Sequence, residues 1–161
     1  MAAQCATDSD DNPLWQYALA VYGKPGVAQH LLVGQDQLGL DVLWCLTALW
    51  LAEQKQVLTP ALMQQVAYDQ WRSSMIIPLR ALRYRCDKTH DAALRKALLA
   101  AELAAEKRGI ALLYAGLAGK GVMGPVDDCN LDELVHGNLS VLTDRGQWIN
   151  ALAQLCWQSN D

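Results

Sequence analysis

The sequence predicts an all-α protein, a compact bundle of about five to seven helices. Apolar residues recur at helical spacing between helix start and stop signals along most of the 161 residues, whereas the alternating pattern typical of β-strands is nearly absent. Apolar residues make up 52% of the chain and charged residues 19%, which is typical of a globular domain. A chain of this length is expected to form one domain with one sizeable core.

Start and stop residues define the first three predicted helices. Asn12 and Pro13 have the residue types of an N-cap and a first helical position, and Gly23 stops this helix after Tyr22. The second helix follows Pro25 and is ended by Gly39. The third is apolar on nearly every side, as expected at the centre of a bundle. The predicted ranges are 13–22, 27–36 and 41–56.

The later helices are predicted from proline, alanine and capping patterns. Thr59-Pro60 repeats the cap-and-proline start of the first helix, and Pro78 must kink or restart the chain because it lacks a backbone donor. A long alanine-rich helix follows, and Asn130 with Glu133 resembles a capping box before a last amphipathic helix that contains Trp148. The predicted ranges are 59–72, 78–85 and 89–117, followed by a C-terminal helical segment.

Composition shifts predict the domain organisation. Residues 1–12 are expected to form a disordered tail, and residues 13–118 a helical core. The stretch 119–129 contains three glycines and a proline and is predicted to be a loop. Residues 130–161 are expected to form a helical extension packed on the core.

The sequence favours a cytoplasmic protein that does not enter a membrane. No run approaches the roughly 18 apolar residues of a membrane span, and the N-terminus carries acidic residues in place of a basic start and an apolar segment. Five cysteines, an odd number without any C-x-x-C pair, favour reduced structural thiols. We expect no cofactor and no metal.

The charge is polarised along the chain. The whole protein has a formal charge of −4, but the segment from Arg72 to Arg108 has nine basic against four acidic residues, a net +5. The remainder has four basic and thirteen acidic residues, a net −9. Nucleic acid is an unexpected partner, because the acidic remainder repels phosphate and no recognition motif accompanies the basic segment.

Four segments together carry a resemblance to a known family. They are L-W-Q-Y-A-L-A-V-Y-G-K-P-G-V, Q-D-Q-L-G-L-D-V, W-R-S-S-M-I-I-P-L-R-A-L-R and A-E-L-A-A-E. Over about Leu14 to Leu117 the chain resembles a bacterial family known only as a domain of unknown function. The resemblance implies an all-helical cytoplasmic protein of proteobacterial type and supplies no activity. The chain departs from the family pattern at Gly34, where members usually have Leu, and at Leu43, where they usually have Asn.

Arg80, Arg83, Glu102 and Glu106 form the first candidate site. The arginines lie at i, i+3 near the start of a helix, where the helix dipole opposes them and an anionic partner is required. The glutamates continue the row Leu94, Leu98, whose members we expect in the core. Internal ion pairs among these charges, with Asp41 as a further partner, are the favoured interpretation. The alternative is a bound phosphate or carboxylate ligand.

The second candidate site consists of Gln35, Asp36 and Asp41 around Gly39. Asp41 is well placed to cap the third helix, whereas Asp36 has the wrong sign for the end of a helix. Together with Arg80 these residues define a possible polar cleft.

Two functions follow from these patterns. The favoured one is a non-catalytic interaction or regulatory protein that binds a protein partner or self-associates, because no catalytic motif is present. The alternative is a binding protein or enzyme for a small anionic ligand, with the two candidate sites as its cleft. The sequence leaves open whether the protein is an enzyme.

Overall fold

The computed structural model describes residues 11–119 and 130–157. These residues contain eight α-helices and one π-helical turn and no β-strand, so the all-α prediction is confirmed. Because α4, the π turn and α5 form one continuous run, the described residues contain seven helical segments, within the predicted five to seven. The elements are α1 Pro13–Tyr22, α2 Val27–Leu38, α3 Val42–Glu53, α4 Val66–Trp71, the π turn Arg72–Ile76, α5 Ile77–Arg85, α6 Ala92–Gly119, α7 Leu131–Ser140 and α8 Gly146–Trp157.

Two predicted segments fall mostly outside the description. Most of the N-terminal tail (1–10) and all but the first residue of the 119–129 loop lie outside the described residues. Gly119 is the last residue of α6. The predicted ends of α2, α3 and α6 differ from the observed ends by two or three residues, which is the normal uncertainty of helix boundaries.

The prediction of a helix from Thr59 is wrong. The Thr59 hydroxyl does accept a hydrogen bond from the Leu62 amide, but only one turn forms, and α4 begins at Val66. Gln65 interrupts the helix with φ −114° and ψ 84°. Its buried side chain lies against Gly116 of α6, so closely that a Cβ at position 116 would overlap its amide. Tertiary packing of Gln65 therefore overrides the local helix signal.

Pro78 changes the helix without ending it. The amide of Ile77 donates to the carbonyl of Arg72, five residues back, which is the hydrogen bond of a π turn. This wider turn lies immediately before the proline ring, which would otherwise clash with the carbonyl four residues earlier. The predicted restart at Pro78 is thus a π turn followed directly by α5.

The chain divides into two units, and the first contains α1, α2, α3, α7 and α8. We call it the five-helix unit. Its centre is α3, which contacts α1, α2 and α7 and is buried continuously from Leu43 to Leu49. Asp41 caps α3 by accepting a hydrogen bond of 3.0 Å from the Leu43 amide. The predicted central helix is confirmed.

Asn138 of α7 is hydrogen-bonded to the backbone of α3 and of the segment that follows it. This side chain is buried, and its amide nitrogen donates to the carbonyls of Ala48 (3.2 Å) and Gln56 (2.9 Å). Its oxygen accepts from the Leu58 amide at 2.8 Å. One buried side chain thus satisfies three backbone groups, which an apolar residue could not do.

Trp148 of α8 packs on α2. Its ring stacks on His30 with centroids 5.0 Å apart, and the His30 Nε2 lies 2.9 Å from the Trp148 carbonyl oxygen. The indole occupies the space above Gly34, where a Cβ would lie 2.7 Å from the Trp148 Cζ2 atom. Position 34 must therefore be glycine for this packing, because any side chain would displace the ring.

The second unit contains α4, the π turn, α5 and α6, and we call it the hairpin unit. Within it α6 contacts α4, the π turn and α5. The Trp71 indole donates to the carbonyl of Ala105 at 2.8 Å, which fixes the end of α4 on α6. The buried residues of α6 lie between Glu102 and Leu117, whereas α5 and the first ten residues of α6 have none.

Candidate functional site

Helices α5 and α6 form a hairpin whose turn is fixed by polar contacts. The Asp87 carboxylate accepts hydrogen bonds from the amides of His90 (2.9 Å) and Thr89 (2.8 Å), which lower its pKa. The Arg95 guanidinium donates to the carbonyl of Arg83 at 2.9 Å, near the C-terminal end of α5. Helix α6 thereby supplies a cation where the dipole of α5 is negative.

The inner face of this hairpin holds a cluster of four charges, the Arg–Glu cluster: Arg80, Arg83, Glu102 and Glu106. Arg80 donates from Nε to one Glu102 oxygen at 3.0 Å and from Nη2 to Glu106 at 3.3 Å. Arg83 donates from Nε to the other Glu102 oxygen at 2.5 Å and from Nη2 to Oε1 at 3.3 Å. The predicted ion pairing within this set is confirmed.

Glu102 is the centre of the cluster. Its side chain is only 4% exposed, against 15% for Arg83 and 17% for Arg80. Burial raises the pKa of Glu102, but the hydrogen bonds and charges of Arg83 and Arg80 outweigh burial and hold the pKa below its usual value. The same hydrogen bond raises the pKa of Arg83. The cluster is therefore an ionised, formally neutral set of two cations and two anions.

The surface of the hairpin outside the Arg–Glu cluster, which we call the outer face, exposes many apolar side chains together with cations such as Arg85 and Lys96. Between residues 93 and 104 five alanines of α6 are exposed, and large apolar side chains of both helices are each between 40% and 56% exposed. The expectation that Leu94 lies in the core is wrong, because Leu94 is the most exposed of them. The alanines are Ala93, Ala97, Ala100, Ala101 and Ala104, and the large residues are Ile77, Leu82, Tyr84, Leu94, Leu99 and Leu103.

The remaining predicted site residues belong to the five-helix unit. Asp41 caps α3, as the sequence indicates. Gln35 is half-buried and Asp36 is exposed, both near the end of α2. That helix ends at Gly39, whose φ of +67° is the left-handed conformation that glycine adopts easily. Of the seven predicted site residues, the four that the structure brings together are Arg80, Arg83, Glu102 and Glu106.

Sequence reasoning missed His136. A shallow groove of about 460 Å³ lies between α7 and α8, and its walls include His136, Asp132 and Asn150. The His136 nitrogens lie 2.8 Å from the Asp132 carbonyl oxygen and 2.6 Å from the Asn150 side-chain oxygen. The hydrogen bond to the Asp132 carbonyl is the main cause that raises the pKa of His136. No sequence spacing links positions 136 and 150.

The thiols in the described residues are free. Burial raises the pKa of Cys45 to about 12 and that of Cys156 to about 11, so both are protonated and unreactive at neutral pH. Cys86 is half-buried. Cys5 and Cys129 lie outside the described residues.

The described residues contain neither a group of metal-binding side chains nor a membrane-spanning helix. Within 11–119 and 130–157, no three His, Cys, Asp or Glu side chains are grouped so that they could hold a metal ion. No helix in that part of the chain has both the length and the apolar character required to cross a membrane.

These features define a class of protein: an all-α domain with a neutral internal ion cluster and an exposed apolar hairpin. The chain belongs to the family described as "Protein of unknown function (DUF2390)", whose model matches residues 13–113. The match spans α1 to most of α6, and helices α7 and α8 follow it. No curated protein and no solved structure matches the chain.

Proposed function

We propose that this protein is a non-catalytic interaction protein, and that a partner protein covers the outer face of the α5–α6 hairpin. One observation carries the proposal: the hairpin buries a cluster of four charges while it leaves large apolar side chains exposed. Arg80, Arg83, Glu102 and Glu106 pair with each other, whereas six large apolar side chains of α5 and α6 are 40–56% exposed. On an ordinary solvated hairpin the apolar residues are the buried ones and charged residues cover the exposed surface.

The outer face offers enough apolar surface for binding. Six large apolar side chains of the hairpin are about half exposed, and complete burial of such a side chain is worth roughly 1.5–3 kcal/mol. Covering the exposed halves of all six would contribute on the order of 5 kcal/mol before the costs of association. Exposed apolar surface of this amount typically marks an interaction site.

The contacts of the arginines support this function over anion binding. Arg80 and Arg83 direct their donors at Glu102 and Glu106, and the cluster carries no net formal charge. An anionic ligand would have to compete with a carboxylate that is already desolvated and held by both guanidiniums. The inner face therefore serves the pairing of α5 with α6.

Site-specific photo-crosslinking tests the proposal. A photoreactive amino acid is placed at Leu99 or Leu103 in cells that make the protein, and at Leu32 of the five-helix unit as a control. Leu32 and Leu99 have the same exposed fraction, 42%, so the control matches the accessibility of the probe. We expect both hairpin positions to form the same discrete adduct with a second protein, and Leu32 not to form it.

Two results would count against the proposal. The first is the absence of a discrete adduct from either hairpin position. The second is an identical adduct from Leu32, which would show contact without preference for the hairpin. An adduct whose mass equals two copies of this chain would assign the face to self-association.

A further inference from the structure

We infer that the partner presents an acidic amphipathic helix to the outer face of the hairpin. This inference rests on the proposed function, and it specifies the chemistry of the partner. It depends on the exposed leucines of α6 and on the charges around them.

The outer apolar residues form a surface that suits a helix. Leu99 and Leu103 lie one turn apart on the same side of α6, and exposed alanines cover the adjoining side. Small side chains allow a second helix to approach closely, while the leucines fill the space between its side chains. The partner therefore needs an apolar stripe at helical spacing.

The charge of the hairpin selects an acidic partner. Without the Arg–Glu cluster, the segment from Arg72 to Arg108 still contains seven basic and two acidic residues, a net +5. Arg85 and Lys96 are exposed, and Lys96 lies one turn before Leu99 on α6. Acidic residues beside the apolar stripe of the partner would be attracted to these cations.

The same charge disfavours two other occupants. Two α5–α6 hairpins, each with eight basic and four acidic residues, would bring +4 against +4, which opposes self-association through this face. An anionic membrane would be attracted by the charge, but helices that lie in a membrane surface carry Trp, Phe and Leu on the inserted side. Here α6 exposes Leu and Ala but contains neither Trp nor Phe.

Binding of designed peptides to the purified protein tests the inference. The probe is a fluorescent helical peptide of about 18 residues, or five turns, with Leu and Ala on one side and Glu flanking them. The comparison peptide has Lys in place of every Glu. We expect the Glu peptide to bind at least about tenfold more tightly, with affinity that falls as salt is raised from about 50 to 300 mM.

Charge-reversed variants locate the binding. The double change Arg85→Glu with Lys96→Glu should remove the preference for the Glu peptide. Arg145→Glu is the control, because Arg145 is 69% exposed and belongs to the five-helix unit. It should leave both affinities within about twofold of the parent.

The outcomes separate this inference from the proposed function. The inference of an acidic helix is overturned if the two peptides bind with equal affinity or if neither binds. It is also overturned if the protein binds phosphatidylglycerol vesicles in preference to the Glu peptide. If the Leu99 adduct persists in the Arg85→Glu, Lys96→Glu variant, a partner still binds the outer face and the proposed function is retained. The inference that the partner is acidic is then rejected. If no adduct forms in the parent, the proposed function itself fails.

Discussion

Replacing Glu102 by alanine should destabilise the protein strongly. The carboxylate is almost fully buried, and it accepts hydrogen bonds from both Arg80 and Arg83. Without it, two guanidiniums remain on the inner face of the hairpin with only Glu106 as an acidic neighbour in the cluster. Removing one partner of a buried ion pair costs more than the pair contributes, because the other charge stays desolvated.

The structure sets the size of this effect. Loss of one partner from a buried pair costs about 3–5 kcal/mol, and the arginines retain 15–17% of their exposure, so the lower end applies. Thermal midpoints of domains of this size fall by about 2–4 °C per kcal/mol, and we therefore expect a decrease of about 6–12 °C. Arg80→Ala should cost somewhat less, because Arg83 still neutralises Glu102.

Thermal and urea unfolding of the two single variants and the double variant measures the coupling. The double variant Arg80→Ala, Glu102→Ala should lose less stability than the two single losses added together. The exposed pair Arg145 and Asp144, 3.7 Å apart, serves as the control, with an expected coupling of at most about 0.5 kcal/mol. If Glu102→Ala melts within about 2 °C of the parent, the cluster is not a structural element and the ligand-binding interpretation gains ground.

Three further predictions concern packing and pH. Asn138→Leu should cost about 3–5 kcal/mol, measured by urea unfolding, because it leaves buried backbone groups unsatisfied. Gly34→Leu should displace Trp148, which a shift of its indole resonance and a melting point lowered by several degrees would reveal. Because the pKa of His136 is raised, its stabilisation is present below its ordinary pKa of 6.5 and is lost as the pH rises through the raised value. Because the pKa of Glu102 is lowered, its stabilisation is present above 4.5 and is lost in acid. The pH dependence of stability should therefore flatten at and above pH 6.5 in His136→Gln and at and below pH 4.5 in Glu102→Gln, and an unchanged profile in either variant would contradict the assignment.

Local signals predicted most of the helices. The cap at Asp41, the stop at Gly39 and the proline at position 13 act through backbone groups of the next few residues, which a sequence displays directly. The start predicted at Thr59 failed because a residue far along the chain decides it. Gln65 packs on Gly116, and no local pattern contains that contact.

The sequence predicted the ion pairs of the Arg–Glu cluster, but it did not predict which apolar residues of α6 are exposed. The two arginines at i, i+3 indicated an anionic partner, and the glutamates at i, i+4 supplied it. The prediction from the helix dipole was wrong, because α5 continues α4 and the π turn, and Arg83 lies in its last turn. The inward direction of Glu102 agrees with the row on which the sequence places it. The exposure of Leu94 was not predictable, because Leu94 shares that row but lies in the first ten residues of α6, none of which is buried.

The contact between Gly34 and Trp148 joins a residue inside the family match to one that follows it. A leucine at position 34 would occupy the space that the indole fills, so α8 could not dock on α2 as it does here. The docking of α8 on α2 therefore depends on the absence of a side chain at position 34. In related chains, we expect glycine at this position to occur together with a tryptophan-bearing C-terminal helix, and a bulkier residue to occur where that helix is absent or packs elsewhere.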